Sequence, residues 1–421
     1  MARNMKELVD VEQGLVSRRI FVEAEIYEQE LERIFARCWL YLGHESQVPE
    51  PGDYLTTTMG EDPVILCRDR GGRVRGLLNS CRHRGNRVCR ADQGRLGSFT
   101  CPYHGWTYDL DGRLIGVPGF QEWYHGDLKR DEWGLVPVAQ IASYQGLIFG
   151  TFDPNAPPLA DSLGEARWVM DILLSQTQGG TEVIGGAFKW TVNCNWKFAA
   201  DNFIGDNYHA ATTHKSAKTA GHHSELATGG YGRSGFSVTT PEGHGFNVQL
   251  RAGENDGQAV AAGPRHVYRR EMIGETEALL GRFRAREVER FNCTIFPNLS
   301  VSSSTAMLHV WHPRGPLKTE IWLYTLTDKN APPEVKNDLR LAAQRHFSPS
   351  GLFEQDDMEN WEQSTLASRG AVARRYPLNY QMGLGHERPV SDGTAPDRFE
   401  GLVNEINQRG FYRRWAELMA E

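Results

Sequence analysis

The sequence predicts an α+β protein, and three observations carry that expectation. Before residue 38, apolar residues recur at helical spacing. From there to about residue 153 the chain runs in short apolar stretches cut by Gly, Pro and Asp, a pattern of strands and turns. Beyond a proline-containing linker, helical and strand patterns alternate. A chain of 421 residues can bury more than one core. The division expected is a helical segment over 1–38 packed on the larger domain, a compact β domain over 39–155, and a mixed domain over 156–421.

In the first segment Ile26, Leu31, Ile34, Phe35 and Cys38 are interleaved with Glu and Arg, which predicts an amphipathic helix from Val22 to Cys38. In the β domain DPVILCRD, VRGLLNSC and QGLIFGTF have the composition of strands. After DPNAPPL a helix is expected over LADSLGEARWVMDILLSQ, a strand over TEVIGGAFKWTVN, and a helix from near Asn195. Residues 221–265, rich in Gly, His and small polar residues, are expected to form a mobile flap rather than regular structure. Strands resume in RFNCTIF, LSVSSSTAMLHVWHP and KTEIWLYTLTD. Helices close the chain at PEVKNDLRLAAQRHF, FEQDDMENWEQSTLASR and EGLVNEINQRGFYRRWAELMA.

Composition excludes some functions. A formal charge of −7 argues against nucleic acid as a partner, because phosphate binding needs clustered Lys and Arg. Arg82, Arg84, Arg87 and Arg90 form a local basic group, either solvated surface or a docking point for an acidic protein. No stretch has the roughly 18 consecutive apolar residues of a membrane span, and MARNMKELVDVEQG lacks the apolar centre of a secretory signal. A cytoplasmic protein without membrane contact is therefore expected. The seven cysteines are odd in number and scattered, which fits reduced thiols rather than a disulfide framework.

Two groups of residues point to chemistry. Cys81 and His83, then Cys101 and His104, form two short loops that each offer one thiolate and one imidazole. A zinc finger is the nearest competitor, but it pairs like ligands within each loop. The mixed pairing suits a [2Fe-2S] cluster held by two cysteines on one iron and two histidines on the other. Gly85 and Gly105 would let the backbone approach the site, and Trp106 could shield it, whereas Cys89 lies in neither loop.

The second group is NWKFAADNFIGDNYHAATTH, with Asp206, His209 and His214. On a helix Asp206 and His209 share a face, while His209 and His214 stand roughly 140° apart. A helix carrying both imidazoles to one metal must therefore distort or end between them. Two imidazoles and a carboxylate make the facial triad of non-haem Fe(II) oxygenases. The acid is sought in FEQDDMENW, where spacing does not choose among Glu354, Asp356, Asp357 and Glu359.

With these residues, and with LERIFARCWLYLGHESQVPEPGDY, CPYHGWTYDLDG, HVWHPRGP and RGFYRRWAEL, nearly the whole chain resembles the large (α) subunits of Rieske non-haem iron ring-hydroxylating oxygenases, the toluene, biphenyl, phenylpropionate and naphthalene dioxygenase group. The resemblance implies a β-sandwich-like Rieske [2Fe-2S] domain beside a catalytic domain whose antiparallel β-sheet is covered by helices. It implies Cys81, His83, Cys101 and His104 as cluster ligands, and His209, His214 and Asp357 as ligands of a mononuclear Fe(II). Asp206 becomes a bridge between His209 and a cluster histidine of a neighbouring subunit, and Asn202 lies close to the iron. Phe347 and Phe353 would line the substrate pocket, where Phe203 is a further candidate. Electrons would come from NADH through a reductase and often a ferredoxin, in an α3 or α3β3 assembly. Two departures stand out: Asp201 occupies a position where Glu is common, and the chain is short in the 221–265 flap.

Two decoys are set aside. Gly230, Gly232 and Gly235 match G-x-G-x-x-G with Glu254 downstream, but FSVTTPEGHG follows where a dinucleotide site needs a helix. His222 and His223 are adjacent, so their side chains diverge. The function expected is a terminal oxygenase that uses O2 and delivered electrons to hydroxylate an aromatic ring to a cis-dihydrodiol. The alternatives are monohydroxylation or demethylation at the same centre, or a Rieske electron carrier.

Overall fold

The structure is a computed structural model that describes residues 5–220, 234–251 and 263–421. Two compact units form: Phe35–Leu159, and Ala160–Glu421 together with the N-terminal segment ending at Ile34. These limits differ by four residues at each end from the expected 39–155, and the N-terminal helix is shorter than its apolar pattern. Helix α1 (Ala24–Glu30) widens into a π-type turn at Leu31–Phe35 rather than running on to Cys38. Among the described residues, no helix is long and apolar enough to cross a membrane.

The smaller unit is built from three antiparallel sheets. One orders Val74–Leu78, Asp62–Arg68, Asp53–Met59 and Gln93–Arg95; a second orders Gln140–Tyr144, Leu147–Thr151 and Leu40–His44. The third is short, with Phe99–Thr100, Thr107–Tyr108 and Leu114–Gly116. Tyr54, Ile65, Leu77, Phe99, Trp106 and Tyr108, from the first and third sheets and the loops between them, share one packed core. Burial of these side chains leaves the loops after Leu78 and Thr100 anchored at both ends.

The larger unit is built mainly on a nine-stranded antiparallel sheet with helices, with a small second sheet of Val9–Asp10, Leu15–Val16 and Leu378–Asn379. In chain order the elements are α2 (Ala166–Leu174), β1 (Thr181–Val192), α3 (Trp196–Phe203), α4 (Ala210–Thr213), β2 (Gly235–Thr239), β3 (Gly245–Leu250), α5 (Pro264–Glu271), α6 (Ile273–Leu280), β4 (Val288–Ile295), β5 (Leu299–Ser302), β6 (Met307–Pro313), β7 (Thr319–Asp328), α7 (Pro333–Phe347), α8 (Leu352–Ser368), β8 (Pro389–Val390), β9 (Arg398–Glu400) and α9 (Ile406–Ala420). The sheet order is β1-β7-β6-β5-β4-β3-β2-β9-β8. Along β6, pleating sends His309 and Trp311 to the face covered by α3, where both rings meet Phe203. Their strand is buried along its whole length, which is why its text is nearly continuous in large residues.

Residues 221–265 are not irregular throughout. β2 and β3 pair as an antiparallel hairpin, since Phe236, Val238, Phe246 and Val248 alternate and are all buried. That period-two signal is hidden by the surrounding Gly and His. Residues 221–233 and 252–262 lie outside the described residues, and with them His222, His223, Gly230, Gly232 and Glu254. Helices α5 and α6 are additions to the expected elements. α5 starts at Pro264 and buries no residue completely, so it leaves no apolar stripe in the sequence.

One buried contact fixes the N-terminal segment within the larger unit. Glu30 on α1 and Lys197 on α3 are both fully buried, with Glu30 Oε1 2.5 Å from Lys197 Nζ. Trp196 Nε1 and Trp415 Nε1 also donate to the Glu30 carboxylate, at 2.9 and 2.7 Å. Three donors on one carboxylate thus tie α1 to α3 and α9, and α3 is the helix that leads into the His209 segment.

Candidate functional site

In the smaller unit the two loops have the same construction. Cys81 N donates to Asn86 O (2.9 Å) and Gly85 N to Cys81 O (2.8 Å); Cys101 N donates to Trp106 O (2.7 Å) and Gly105 N to Cys101 O (3.0 Å). Closing each turn requires a left-handed residue at its fourth step, and Gly85 and Gly105 have φ of 72° and 76°. At Gly85 the role is conformational alone, since nothing lies within 4 Å of a Cβ built there, whereas at Gly105 a Cβ would also stand 2.9 Å from the Pro118 ring. Cys81 and Cys101 are buried, whereas the histidine rings reach toward the surface. Those rings stand 4.5 Å apart, and His83 stacks on Trp106 at 5.0 Å.

The donor set suits a mixed thiolate and imidazole cluster. Burial works to raise the Cys101 thiol, but the N–H groups of Tyr103 and His104 and the Asn86 amide, 3.8 Å away, outweigh it and favour the thiolate. Burial, with His104 close by, holds His83 below the ordinary imidazole range, and its Nδ1 is buried without a hydrogen-bond partner. A neutral imidazole with an unsatisfied nitrogen is what a cluster iron requires. Cys89 is buried in the core instead, its thiol donating to Ala91 O at 3.9 Å.

The Tyr108 hydroxyl stands 3.2 Å from Cys81 Sγ. Hydrogen bonds to cluster sulfurs stabilise the more negative reduced state. Tyr108→Phe is therefore expected to lower the cluster's reduction potential by some tens of millivolts, measured by redox titration followed in the visible spectrum. An unchanged potential would remove Tyr108 from the set of tuning groups.

In the larger unit α3 ends at Phe203, and the chain turns at Gly205, where φ is 135° and a Cβ would stand 2.5 Å from Asn247. Asn247 Nδ2 donates to Gly205 O at 2.6 Å, locking the turn. The segment is thus no continuous helix: His209 precedes the single turn of α4 and His214 follows it. This break brings the imidazoles together, with Nε2 to Nε2 at 3.2 Å.

Asp357 comes from the buried face of α8 and supplies a third donor. Its Oδ1 is 3.3 Å from His209 Nε2 and 3.6 Å from His214 Nε2. Donors held at about 2.1 Å from one ion stand roughly 3.0–3.4 Å apart, so this triangle fits a single first-row cation. His209, His214 and Asp357 are the one such group among the described residues. Burial opposes a proton on His209, yet the charges of Asp357 and Asp206 outweigh it and lift the imidazole well above its usual range, so the triangle favours positive charge at its centre.

Other acids of FEQDDMENW have different surroundings. Asp356 Oδ2 lies 3.5 Å from His214 Nδ1 and accepts from Ser216, while Glu359 is exposed. Glu354 is fully buried, with Oε2 3.3 Å from His309 Nε2. Burial pushes His309 down to about 3, and burial with the Asp357 charge pushes Glu354 well up, so the pair is neutral. This polar pair in an aromatic wall escapes sequence reasoning. Its available signal is the strand alternation of HVWHP, which puts His309 and Trp311 on one face.

Asp206 Oδ2 is 3.3 Å from His209 Nδ1, and its other oxygen accepts the N–H groups of Tyr208 and His209. Burial acts to raise Asp206, but the His209 hydrogen bond prevails and keeps it ionised. Asn202 Nδ2 stands 3.3 Å from the same His209 nitrogen. Phe203, Phe347 and Phe353 converge, with centroids 6.1 and 5.7 Å apart along the series, and Phe353 lies 4.8 Å from the His214 ring.

Beside Asn202, the Asp201 carboxylate accepts from Tyr380 and Tyr412 hydroxyls at 2.7 and 2.6 Å. Burial pushes it up to about 7, against those two hydrogen bonds. Between about pH 4 and pH 7 the folded chain keeps a proton that the unfolded chain has lost, so this group's contribution to stability falls as pH rises. Asp201→Asn is expected to gain in melting temperature relative to the parent between pH 5 and pH 8. A gap that stays constant over that range would show that Asp201 ionises normally.

Comparison with known proteins agrees in both units. Residues 38–142 match the Rieske [2Fe-2S] domain, and residues 161–421 match the ring hydroxylating alpha subunit (catalytic domain). The chain is 42% identical to biphenyl 2,3-dioxygenase subunit alpha of Rhodococcus jostii over 99% of this chain and 91% of that one. It is 39% identical to benzene 1,2-dioxygenase subunit alpha of Pseudomonas putida, covering 99% and 93%. Among solved structures, naphthalene 1,2-dioxygenase from Rhodococcus sp. bound to indole superposes with a TM-score of 0.90 at 36% identity, covering 100% and 99%.

Proposed function

The chain belongs to the ring-hydroxylating oxygenase α-subunit family, with a Rieske [2Fe-2S] cluster and a mononuclear iron, and from that premise we propose residue roles, product and partners. It is an aromatic-ring oxygenase of a multicomponent system. Cys81, His83, Cys101 and His104 hold the cluster in the 39–155 domain. His209, His214 and Asp357 hold the iron in the 156–421 domain, and the segment 1–38 braces that domain. The observation that carries this reading is the His209, His214 and Asp357 triangle bordered by buried aromatic rings.

The iron supplies O2 activation when bound. The chain's own groups bind and orient: Asp206 accepts from His209 Nδ1, which leaves Nε2 free to face a metal, and Asn202 approaches the same nitrogen. Phe203, Phe347 and Phe353 exclude water and hold an uncharged arene, in keeping with the neutral hydrocarbons in the names of the relatives. The balanced reaction is arene, O2, two electrons and two protons to one cis-dihydrodiol. Electrons arrive from NADH through a reductase, with or without a ferredoxin, in the cytoplasm, and the assembly is α3 or α3β3.

The test is turnover of a panel of neutral arenes and aromatic acids under 18O2 with surrogate redox partners. A cis-diol carrying both atoms of one O2 is expected. One labelled atom, or a demethylated product, would replace dioxygenation with the monooxygenase alternative. Asp206→Asn is further expected to slow single-turnover reoxidation of the cluster at least about tenfold while iron content stays near that of the parent. Unchanged reoxidation would end the bridging role.

A further inference from the structure

The larger unit contains a cavity of about 120 Å³, apart from the metal triangle. Leu173, Met272, Leu326 and Leu339 give it apolar walls, and Arg265 and Thr177 reach it from α5 and from the end of α2. None of His209, His214, Asp357, Phe203, Phe347 or Phe353 lines it. Leu339 and Phe347 sit on one helix, α7, eight residues and thus about 12 Å apart, so the cavity is distinct from the aromatic wall.

Two donors at this cavity lack partners. Arg265 Nη1 and Thr177 Oγ1 are each buried with no hydrogen bond. Arg265 is otherwise engaged through Nε, which donates to His266 Nε2 at 3.2 Å and lies 3.9 Å from Asp338. Buried polar groups are nearly always satisfied, and an unmet guanidinium N–H is among the costliest to leave so. A guanidinium and a hydroxyl together suit a carboxylate, which accepts from both. Leu173, Met272, Leu326 and Leu339 suit a small hydrocarbon body. Its size is bounded: a cavity of about 150 Å³ lined by aliphatic and aromatic side chains accommodates benzene, so this one, at about 120 Å³, takes a body smaller than a ring, a short branched alkyl group.

We propose that this cavity is a second ligand site, selective for a small carboxylate with a short branched alkyl body, such as isobutyrate. Its carboxylate accepts from Arg265 Nη1 and Thr177 Oγ1, and its alkyl group fills the space bounded by Leu173, Met272, Leu326 and Leu339. It is separate from the site of ring hydroxylation and independent of the arene turned over there.

The test is calorimetric titration of the holoenzyme with isobutyrate, acetate and benzoate. Isobutyrate is expected to saturate a site whose affinity falls at least tenfold in Arg265→Gln and which disappears in Leu339→Trp, where the indole fills the space. Acetate, lacking the branched body, and benzoate, too large for the space, should each bind at least tenfold more weakly. Both variants should keep the cluster's visible absorption and turnover of a neutral arene; should either lose them, Thr177→Val, which removes one donor at constant shape, replaces it. Isobutyrate binding that is insensitive to Arg265→Gln, Leu339→Trp and Thr177→Val, acetate or benzoate binding as tight as isobutyrate, or no isobutyrate binding overturns the proposal.

Discussion

Asp357→Ala is expected to bring iron from about three atoms per chain to about two, leave the cluster's spectrum unchanged, and reduce turnover at least about 100-fold. The reason is the geometry of the triangle: Asp357 is its only carboxylate, 3.3 and 3.6 Å from the two imidazoles, and alanine leaves two neutral donors. Glu354→Gln is the matched control. Glu354 lies on the same buried face of α8 but meets His309 rather than the triangle. It should retain the mononuclear iron. Metal analysis and the cluster's visible absorption together decide the matter: iron near three with turnover intact in Asp357→Ala would remove Asp357 from the ligand set.

The second large effect is on stability. Glu30→Ala should destabilise the larger unit by about 3–5 kcal/mol, because it leaves the Lys197 ammonium fully buried without its counter-charge. Burial already holds Lys197 below the ordinary lysine range, against the attraction of Glu30. In calorimetry the transition should fall by on the order of 5–10 °C. The double variant Glu30→Leu with Lys197→Met should recover most of that loss, since two apolar side chains avoid the desolvation that the ion pair must offset. A single variant that melts with the parent would mean that water reaches Lys197.

The expected elements that formed as drawn are those with strong local pattern. PEVKNDLRLAAQRHF is helical from its first residue to its last, and KTEIWLYTLTD is a strand from Thr319 to Asp328. The elements that differed lack such a pattern or carry a competing one. α5 offers only the adjacent Val267 and Tyr268 in a polar helix, the β2–β3 hairpin is embedded in Gly and His, and the apolar spacing of Val22–Cys38 continues past the point where α1 widens. Glu30 illustrates the limit most plainly. In the sequence it stands among Glu25, Glu28 and Glu32 as one more solvated acid, yet it is fully buried under two tryptophans and a lysine.

What the sequence determines by itself is whatever closes over a few residues. Cys81, His83 and Gly85, and Cys101, His104 and Gly105, lie in turns whose hydrogen bonds span four or five positions, so the pairing of thiolate with imidazole is written locally. The break that lets His209 and His214 meet is local in part: Gly205 permits the turn and α4 is a single turn, while Asn247, 42 residues later, locks it. Only tertiary structure decides among four acids in FEQDDMENW, because the choice depends on how α8 lies against a segment 148 residues earlier in the chain. That placement follows from which helical face is buried: Phe353, Asp357 and Trp361 share it, Asp357 reaches the two imidazoles, Glu354 meets His309, and Glu359 is left in water.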